Sequence, residues 1–135
     1  VDYIITSKPT LALVSYDNPD AVGHRVGHDT PEYYEILRDL DAQLGQIVDA
    51  IKEAGIYDST VIIVTSDHGG IEKGHGGITL AEMETPFVIA GNGVKAVGEF
   101  QSAMMQYDVA ATIAALLGLK QPQPWVGRPV TEILK

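Results

Sequence analysis

The sequence predicts an α/β fold in which a mostly parallel sheet is flanked by helices. Two short apolar runs, residues 11–16 and 61–65, have the length and the residue types of buried strands. Between them, residues 30–55 carry apolar side chains at steps of three and four, which is the periodicity of an amphipathic helix. A strand, a helix and a strand in this order are typical of a right-handed crossover in a parallel sheet.

Local signals define the remaining elements. The long helix is predicted to begin after Thr30, a capping residue followed by proline, and to end near Gly55. Residues 86–90 are a third strand candidate, and residues 107–117 form a second predicted helix. We expect a single α/β domain over residues 1–135. Its three or four strands make a thin sheet for such a fold, so we expect part of the fold to lie outside this chain.

Composition and charge exclude several classes of protein. Of the 135 residues, 45% are hydrophobic and 20% are charged, which is enough apolar side chain for a packed core. The formal net charge of −9 disfavours binding to nucleic acid or to anionic membrane surfaces, since both select basic proteins. No run reaches the roughly 18–20 apolar residues of a membrane span. Cysteine is absent, so any metal site must use His, Asp and Glu.

All four histidines lie in two polar segments. His24 and His28 follow the first predicted strand, and His68 and His75 follow the second. Ligands of open α/β sheets bind outside the carboxyl ends of the strands. We therefore expect the two segments to meet in space and to form one site.

Two pairs within these segments have the chemistry of metal ligands. Asp20 and His24 are four residues apart, so one helical turn can direct both at one ion, while Asp67 and His68 follow a strand end. Carboxylate with imidazole and no thiolate is the ligand set of catalytic zinc or manganese. Each pair alone also fits a turn, a helix cap or a surface histidine. The occurrence of two Asp/His sets, with no histidine elsewhere, favours metal sites.

Two further residues are weaker candidates. His28 is a candidate substrate contact, but a role in supporting the site from outside the ligand set is the favoured interpretation. Lys73 is a candidate phosphate contact, and a solvated loop lysine is the simpler interpretation. Both residues are therefore substrate-binding candidates, and for each an interpretation without substrate contact stays open.

Three motifs in order carry a resemblance to a known superfamily. They are the segments 18–24 (NPDAVGH), 65–70 (TSDHGG) and 74–76 (GHG), and the helix signal at 107–118 adds a fourth. Together they resemble the alkaline phosphatase superfamily, in particular its type I phosphodiesterase/nucleotide pyrophosphatase branch. The resemblance covers nearly the whole chain. It implies an alkaline-phosphatase-like α/β fold, of which this chain is a C-terminal fragment.

The resemblance also assigns metal ligands. Asp20, His24 and His75 would hold one divalent ion, and Asp67 and His68 would hold a second, with zinc expected and manganese as the alternative. The Thr or Ser nucleophile of the superfamily lies in its N-terminal half and has no counterpart here, so we expect this chain alone to be chemically incompetent. The implied function is metal-dependent hydrolysis of phosphodiesters or phosphomonoesters, by in-line attack at phosphorus.

Other interpretations of the same motifs stay open. The segment 18–24 also resembles cofactor-independent phosphoglycerate mutases, and sulfatases are a third option within the superfamily. A metal-binding or structural domain is the non-enzyme alternative. We expect a small-molecule phosphate ester as the substrate, with no nucleic acid partner and no membrane span. A periplasmic or secreted location is favoured over a cytoplasmic one, and the sequence indicates neither the substrate's identity nor the oligomeric state.

Overall fold

The computed structural model describes all 135 residues, which form two compact units. The first comprises Val1–Thr60 with His68–Pro86, and the second comprises Val61–Asp67 with Phe87–Lys135. Helices together with one small sheet confirm the predicted α/β class. None of the helices is both long enough and apolar enough to cross a membrane.

Helices make up the first unit. They are α1 (Asp2–Ser7), α2 (Asn18–Val26), α3 (Pro31–Glu53) and α4 (Leu80–Met83), with a 3-10 turn at Tyr57–Ser59. The long helix α3 contacts both α1 and α2. Ile51 of α3, Ile4 of α1 and Val22 of α2 are all buried. This packing fixes α2, which carries Asp20 and His24, against the longest helix of the unit.

The two ends of α3 agree with the prediction. The hydroxyl oxygen of Thr30 accepts a hydrogen bond from the Tyr33 amide at 3.3 Å, and Pro31 opens the helix. The helix ends at Glu53, and the chain turns at Gly55, whose φ of 70° lies in the left-handed region that favours glycine. Both predicted boundaries are confirmed.

The second unit contains the sheet. Its elements are β1 (Val61–Thr65), β2 (Phe87–Gly91), α5 (Asp108–Leu116) and a 3-10 turn at Thr131–Ile133. Asp108 is buried, and its carboxylate accepts hydrogen bonds from the Met105 and Arg128 amides at 2.8 and 2.7 Å. The predicted third strand is present one residue further along the chain, and the predicted second helix is present but shorter by one residue at each end.

The direction of the strands differs from the prediction. The sequence predicts a parallel sheet because β1 is a continuous β-branched run, but β1 and β2 pair antiparallel, with Val61 opposite Gly91. Val64 and Val88 are 37% and 59% exposed, so the strands are not covered on both faces as those of a parallel sheet are. A continuous apolar run thus indicates that a strand forms, but it does not indicate whether that strand pairs parallel or antiparallel with its neighbour.

The predicted strand at residues 11–16 is wrong. This segment forms no regular element, and no backbone hydrogen bond joins it to another strand. Leu13 is 93% exposed. A strand needs a neighbour that takes up its backbone hydrogen bonds, and the chain has one sheet, which pairs β1 with β2. The predicted crossover through α3 is therefore absent, because its first strand does not form.

Candidate metal centre

Helix α2 places the first two predicted ligands on one face. The polar segment after residue 16 forms a nine-residue helix, with Pro19 in its first turn. Asp20 and His24 are separated by one helical turn, and Asp20 Oδ1 lies 3.4 Å from His24 Nε2. The spacing of four residues thus directs both side chains to one point.

His75 completes a three-residue cluster with this pair. Its Nε2 lies 3.2 Å from His24 Nε2 and 3.4 Å from Asp20 Oδ1. The ligand atoms of the three residues lie within 4.8 Å of one another. His68 stands beside them: its Nε2 lies 3.9 Å from Asp20 Oδ1, and its ring stacks on that of His75 with the centroids 3.7 Å apart. Three of the four histidines therefore surround one carboxylate oxygen.

The donor set of this cluster fits a divalent cation. Asp20 Oδ1 is buried and has no hydrogen-bond partner, although 45% of the Asp20 side chain is exposed. Burying a carboxylate oxygen without a partner is unfavourable, so such an atom calls for an explanation. Carboxylate oxygen together with imidazole nitrogen is the ligand chemistry of zinc sites. A cation among these atoms would satisfy Oδ1.

Backbone carbonyls hold two of the imidazoles in a tautomer suited to metal binding. His24 Nδ1 donates a hydrogen bond to the Lys73 carbonyl at 2.9 Å, and His68 Nδ1 donates to the Gly69 carbonyl at 2.8 Å. A carbonyl can only accept, so each neutral ring carries its proton on Nδ1 and keeps a lone pair on Nε2. Metal-binding histidines typically have their other ring nitrogen bound in this way.

Glu82 of α4 anchors both stretches that carry these histidines. Its carbonyl accepts a hydrogen bond from the Gly69 amide at 2.9 Å, and its carboxylate accepts one from the Gly77 amide at 2.8 Å. The Thr79 hydroxyl donates to the same carboxylate at 2.6 Å. The hydrogen bond from Thr79, followed by that from Gly77, lowers the pKa of Glu82. Sequence reasoning missed this residue, although Thr79 and Glu82 have the spacing of a capping box.

His28 is not a member of the cluster. Its backbone amide and its ring Nδ1 both donate to the Glu72 carbonyl, at 2.6 and 3.0 Å. The ring lies against the backbone of Gly23 and Gly70, and its centroid is 5.2 Å from that of Tyr33. Gly23 precedes His24 directly, so His28 packs against the chain beside a predicted ligand.

Two other predicted site residues stay predictions. Asp67 belongs to the second unit, and its side chain is exposed. The Lys73 side chain is also exposed, whereas its carbonyl binds His24. Sequence reasoning singled out Lys73 for its charge and could not foresee the carbonyl contact, because every residue type has the same carbonyl.

Comparison with known proteins identifies relatives of the chain. Residues 2–91 match the family model of type I phosphodiesterases/nucleotide pyrophosphatases. The chain is 33% identical over 129 residues to a 2,3-bisphosphoglycerate-independent phosphoglycerate mutase of Vibrio vulnificus, a match that covers 93% of the chain and 24% of the mutase. It is 31% identical over 70 residues to the human ectonucleotide pyrophosphatase/phosphodiesterase family member 5, covering 51% of the chain and 15% of that protein.

A solved structure shares the fold. The phosphonate monoester hydrolase of Silicibacter pomeroyi matches with a TM-score of 0.64 and 23% sequence identity, over 93% of the chain and 31% of the hydrolase. The chain thus has the fold of a part of that protein. It spans 24% of the length of the mutase and 15% of the human relative.

Proposed function

This chain belongs to the type I phosphodiesterase/nucleotide pyrophosphatase family, and we propose that it supplies the metal-binding part of a phosphoester hydrolase. One observation carries the proposal: His24 and His75 converge on Asp20 Oδ1, a buried oxygen that has no hydrogen-bond partner. The family assignment agrees with this interpretation, since its description names two phosphoester-cleaving activities.

We assign Asp20, His24 and His75 to one divalent ion, and Asp67 and His68 to a second. Zinc is the metal proposed, with manganese as the alternative, because the set offers nitrogen and oxygen ligands and no thiolate. When bound, such ions polarise the phosphoryl oxygens and lower the pKa of an attacking hydroxyl. Asp20 contributes the only negative charge of the first set, which leaves part of an ion's charge to attract a phosphate ester.

The residues around the ligands have supporting roles in this proposal. The Lys73 carbonyl keeps the His24 proton on Nδ1, away from the metal-facing Nε2. The exposed ammonium group of the Lys73 side chain is the proposed contact for a substrate phosphate. Glu82 holds the backbone after His68 and after His75. As the sequence resemblance implies, we propose that the Thr or Ser nucleophile comes from outside these 135 residues.

Phosphoryl transfer between the hydroxyls of phosphoglycerate is the second candidate function. The observation that favours it is coverage, since the match to the mutase of Vibrio vulnificus extends over 93% of the chain and the match to the human phosphodiesterase relative over 51%. The same metal ligands serve both proposals. The two functions therefore differ in substrate and acceptor, and an activity assay separates them.

Zinc titration of the purified protein tests the proposed metal site. We expect tight binding in the wild type and a loss of affinity of at least about 100-fold in Asp20→Asn, because loss of a charged ligand exceeds the effect of losing an outer hydrogen bond. Asp49→Asn is the matched control, since Asp49 lies on α3 with 80% of its side chain exposed. Equal zinc affinity in wild type and Asp20→Asn would contradict the assignment.

The second ion and the reaction have separate readouts. We expect Asp67→Asn to lower the zinc stoichiometry by one and to leave the first ion bound. Hydrolysis of bis(4-nitrophenyl) phosphate and interconversion of 2- and 3-phosphoglycerate are then measured on the full-length gene product. Activity on the phosphodiester alone supports the hydrolase, and activity on phosphoglycerate alone supports the mutase.

A further inference from the structure

A tight turn at residues 71–74 binds two histidines through successive carbonyls. The Glu72 carbonyl accepts both hydrogen bonds from His28, and the next carbonyl, that of Lys73, accepts the bond from His24. The turn itself is closed by two hydrogen bonds of 3.0 Å between Ile71 and Gly74. Because the two carbonyls belong to neighbouring residues of one closed turn, the position of one sets the position of the other.

The conformation of Glu72 in this turn is one that surrounding contacts must support. Its φ of 50° lies in the left-handed region, which is unfavourable for a residue with a side chain. Such a conformation persists where the surrounding contacts determine it. The two donors of His28 are contacts of this kind, since both end on the Glu72 carbonyl.

The His28 ring also fills the space between the two stretches that carry the ligands. A Cβ atom built on Gly23 would lie 2.4 Å from His28 Nε2, and one built on Gly70 would lie 2.3 Å from it. Only glycine leaves room for the ring at these two positions. Gly23 directly precedes His24, and Gly70 follows His68 by two residues. The ring is therefore flanked on two sides by backbone that is continuous with the predicted ligands.

We propose that His28 is a positioning residue for the metal centre. Its two hydrogen bonds to Glu72 set the turn so that the Lys73 carbonyl keeps the His24 proton on Nδ1 and leaves Nε2 directed at Asp20. The inference rests on the proposed function, because the tautomer of His24 matters where Nε2 binds metal. In this role His28 contacts neither the ion nor the substrate.

The wild-type protein gives the first test, in the absence of metal. Nitrogen-15 NMR distinguishes the two neutral tautomers of each histidine ring at a pH where the rings are neutral. We expect both His24 and His28 to carry the proton on Nδ1. If His28 carries its proton on Nε2, it cannot donate to Glu72 from its ring, and the proposal is overturned.

Two amide variants test the position of the donor. In His28→Asn the amide nitrogen stands where imidazole Nδ1 stood, and in His28→Gln it stands near the place of Nε2. We expect His28→Asn to keep the Nδ1–H tautomer of His24 and to bind zinc within about threefold of wild type. We expect His28→Gln to lose the single tautomer and to weaken zinc binding by roughly 10- to 100-fold, the usual effect of losing an outer-sphere partner.

The pattern of outcomes separates positioning from a general structural role. If His28 served only to fill space, Gln would replace it at least as well as Asn, because Gln is the larger side chain. Equal behaviour of the two variants at His24 therefore overturns the proposal, as does loss of the tautomer in His28→Asn. Should neither variant fold, the wild-type spectrum decides. A wild type that binds no zinc refutes the proposed function, and the tautomer measurement remains a separate result.

Discussion

Residues 11–16 and residues 71–74 are two short segments of the first unit with opposite outcomes. The first is apolar and has no regular structure, and Leu13 within it is 93% exposed. The second is largely exposed, yet it is closed by two backbone hydrogen bonds, and its carbonyls bind two histidines. From hydropathy alone, residues 11–16 would be expected to be the ordered segment and residues 71–74 the irregular one.

The difference comes from the source of the hydrogen-bond partners. A strand depends on a second strand, whereas a turn closes on itself within four residues. At residues 71–74 the neighbouring side chains of His24 and His28 then supply further donors. At residues 11–16 nothing in the chain supplies a partner strand. A turn that closes on itself and gains side-chain hydrogen bonds thus has a better-defined conformation than a segment that is only apolar.

Truncation of one buried and one exposed apolar side chain gives the largest expected contrast. Ile51 is 6% exposed in α3, so we expect Ile51→Ala to lower the free energy of unfolding by about 2–5 kcal/mol. Leu13 is 93% exposed, so Leu13→Ala is expected to change it by no more than about 0.5 kcal/mol. Urea unfolding of the two variants and the wild type measures both changes in the free energy of unfolding. A cost above about 2 kcal/mol for Leu13→Ala would mean that residues 11–16 are packed in solution.

The same reasoning explains how far the sequence could predict this protein. The ends of α3 were predictable because Thr30 and Gly55 act within one turn of the helix, and the Asp20/His24 pair because helix geometry fixes a spacing of four. The direction of β1 was not, since it depends on which strand pairs with it. The contact between the Lys73 carbonyl and His24 was not predictable either, because every residue type has the same backbone carbonyl.

Two glycines in helix interiors provide the next contrast. A Cβ on Gly45 of α3 meets nothing within 4 Å, so Gly45→Ala is expected to stabilise the protein by about 0.5–1 kcal/mol through helix propensity. In Gly23→Ala of α2 the same gain is opposed by a clash with the His28 ring, which is typically worth about 1–3 kcal/mol. We expect the two variants to differ by about that amount in urea unfolding.

A double-mutant cycle assigns the effect at Gly23 to its cause. In a His28→Ala background the ring is gone, so Gly23→Ala should regain the favourable helix term and behave like Gly45→Ala. If Gly23→Ala costs as much in that background as in the wild type, the clash lies elsewhere and His28 does not fill the space between the two ligand-bearing stretches.

The smallest expected effect concerns the carboxylate that holds the segment after His75. Hydrogen bonds from Thr79 and Gly77 lower the pKa of Glu82 from its ordinary value of 4.5. Since the folded pKa lies below the unfolded one, the stabilisation is fully present above that value and is lost as pH falls through the folded pKa. In metal-free protein we expect wild type to melt above Glu82→Gln at pH 6, the difference to shrink as pH falls below 4.5, and to vanish once pH is below the lowered pKa of the folded state. Glu35→Gln, at an exposed position of α3, gives the baseline. A melting difference for Glu82→Gln that stays constant to pH 3 would show that the charge of Glu82 is not what holds the segment, and the capping-box geometry alone would have to do so.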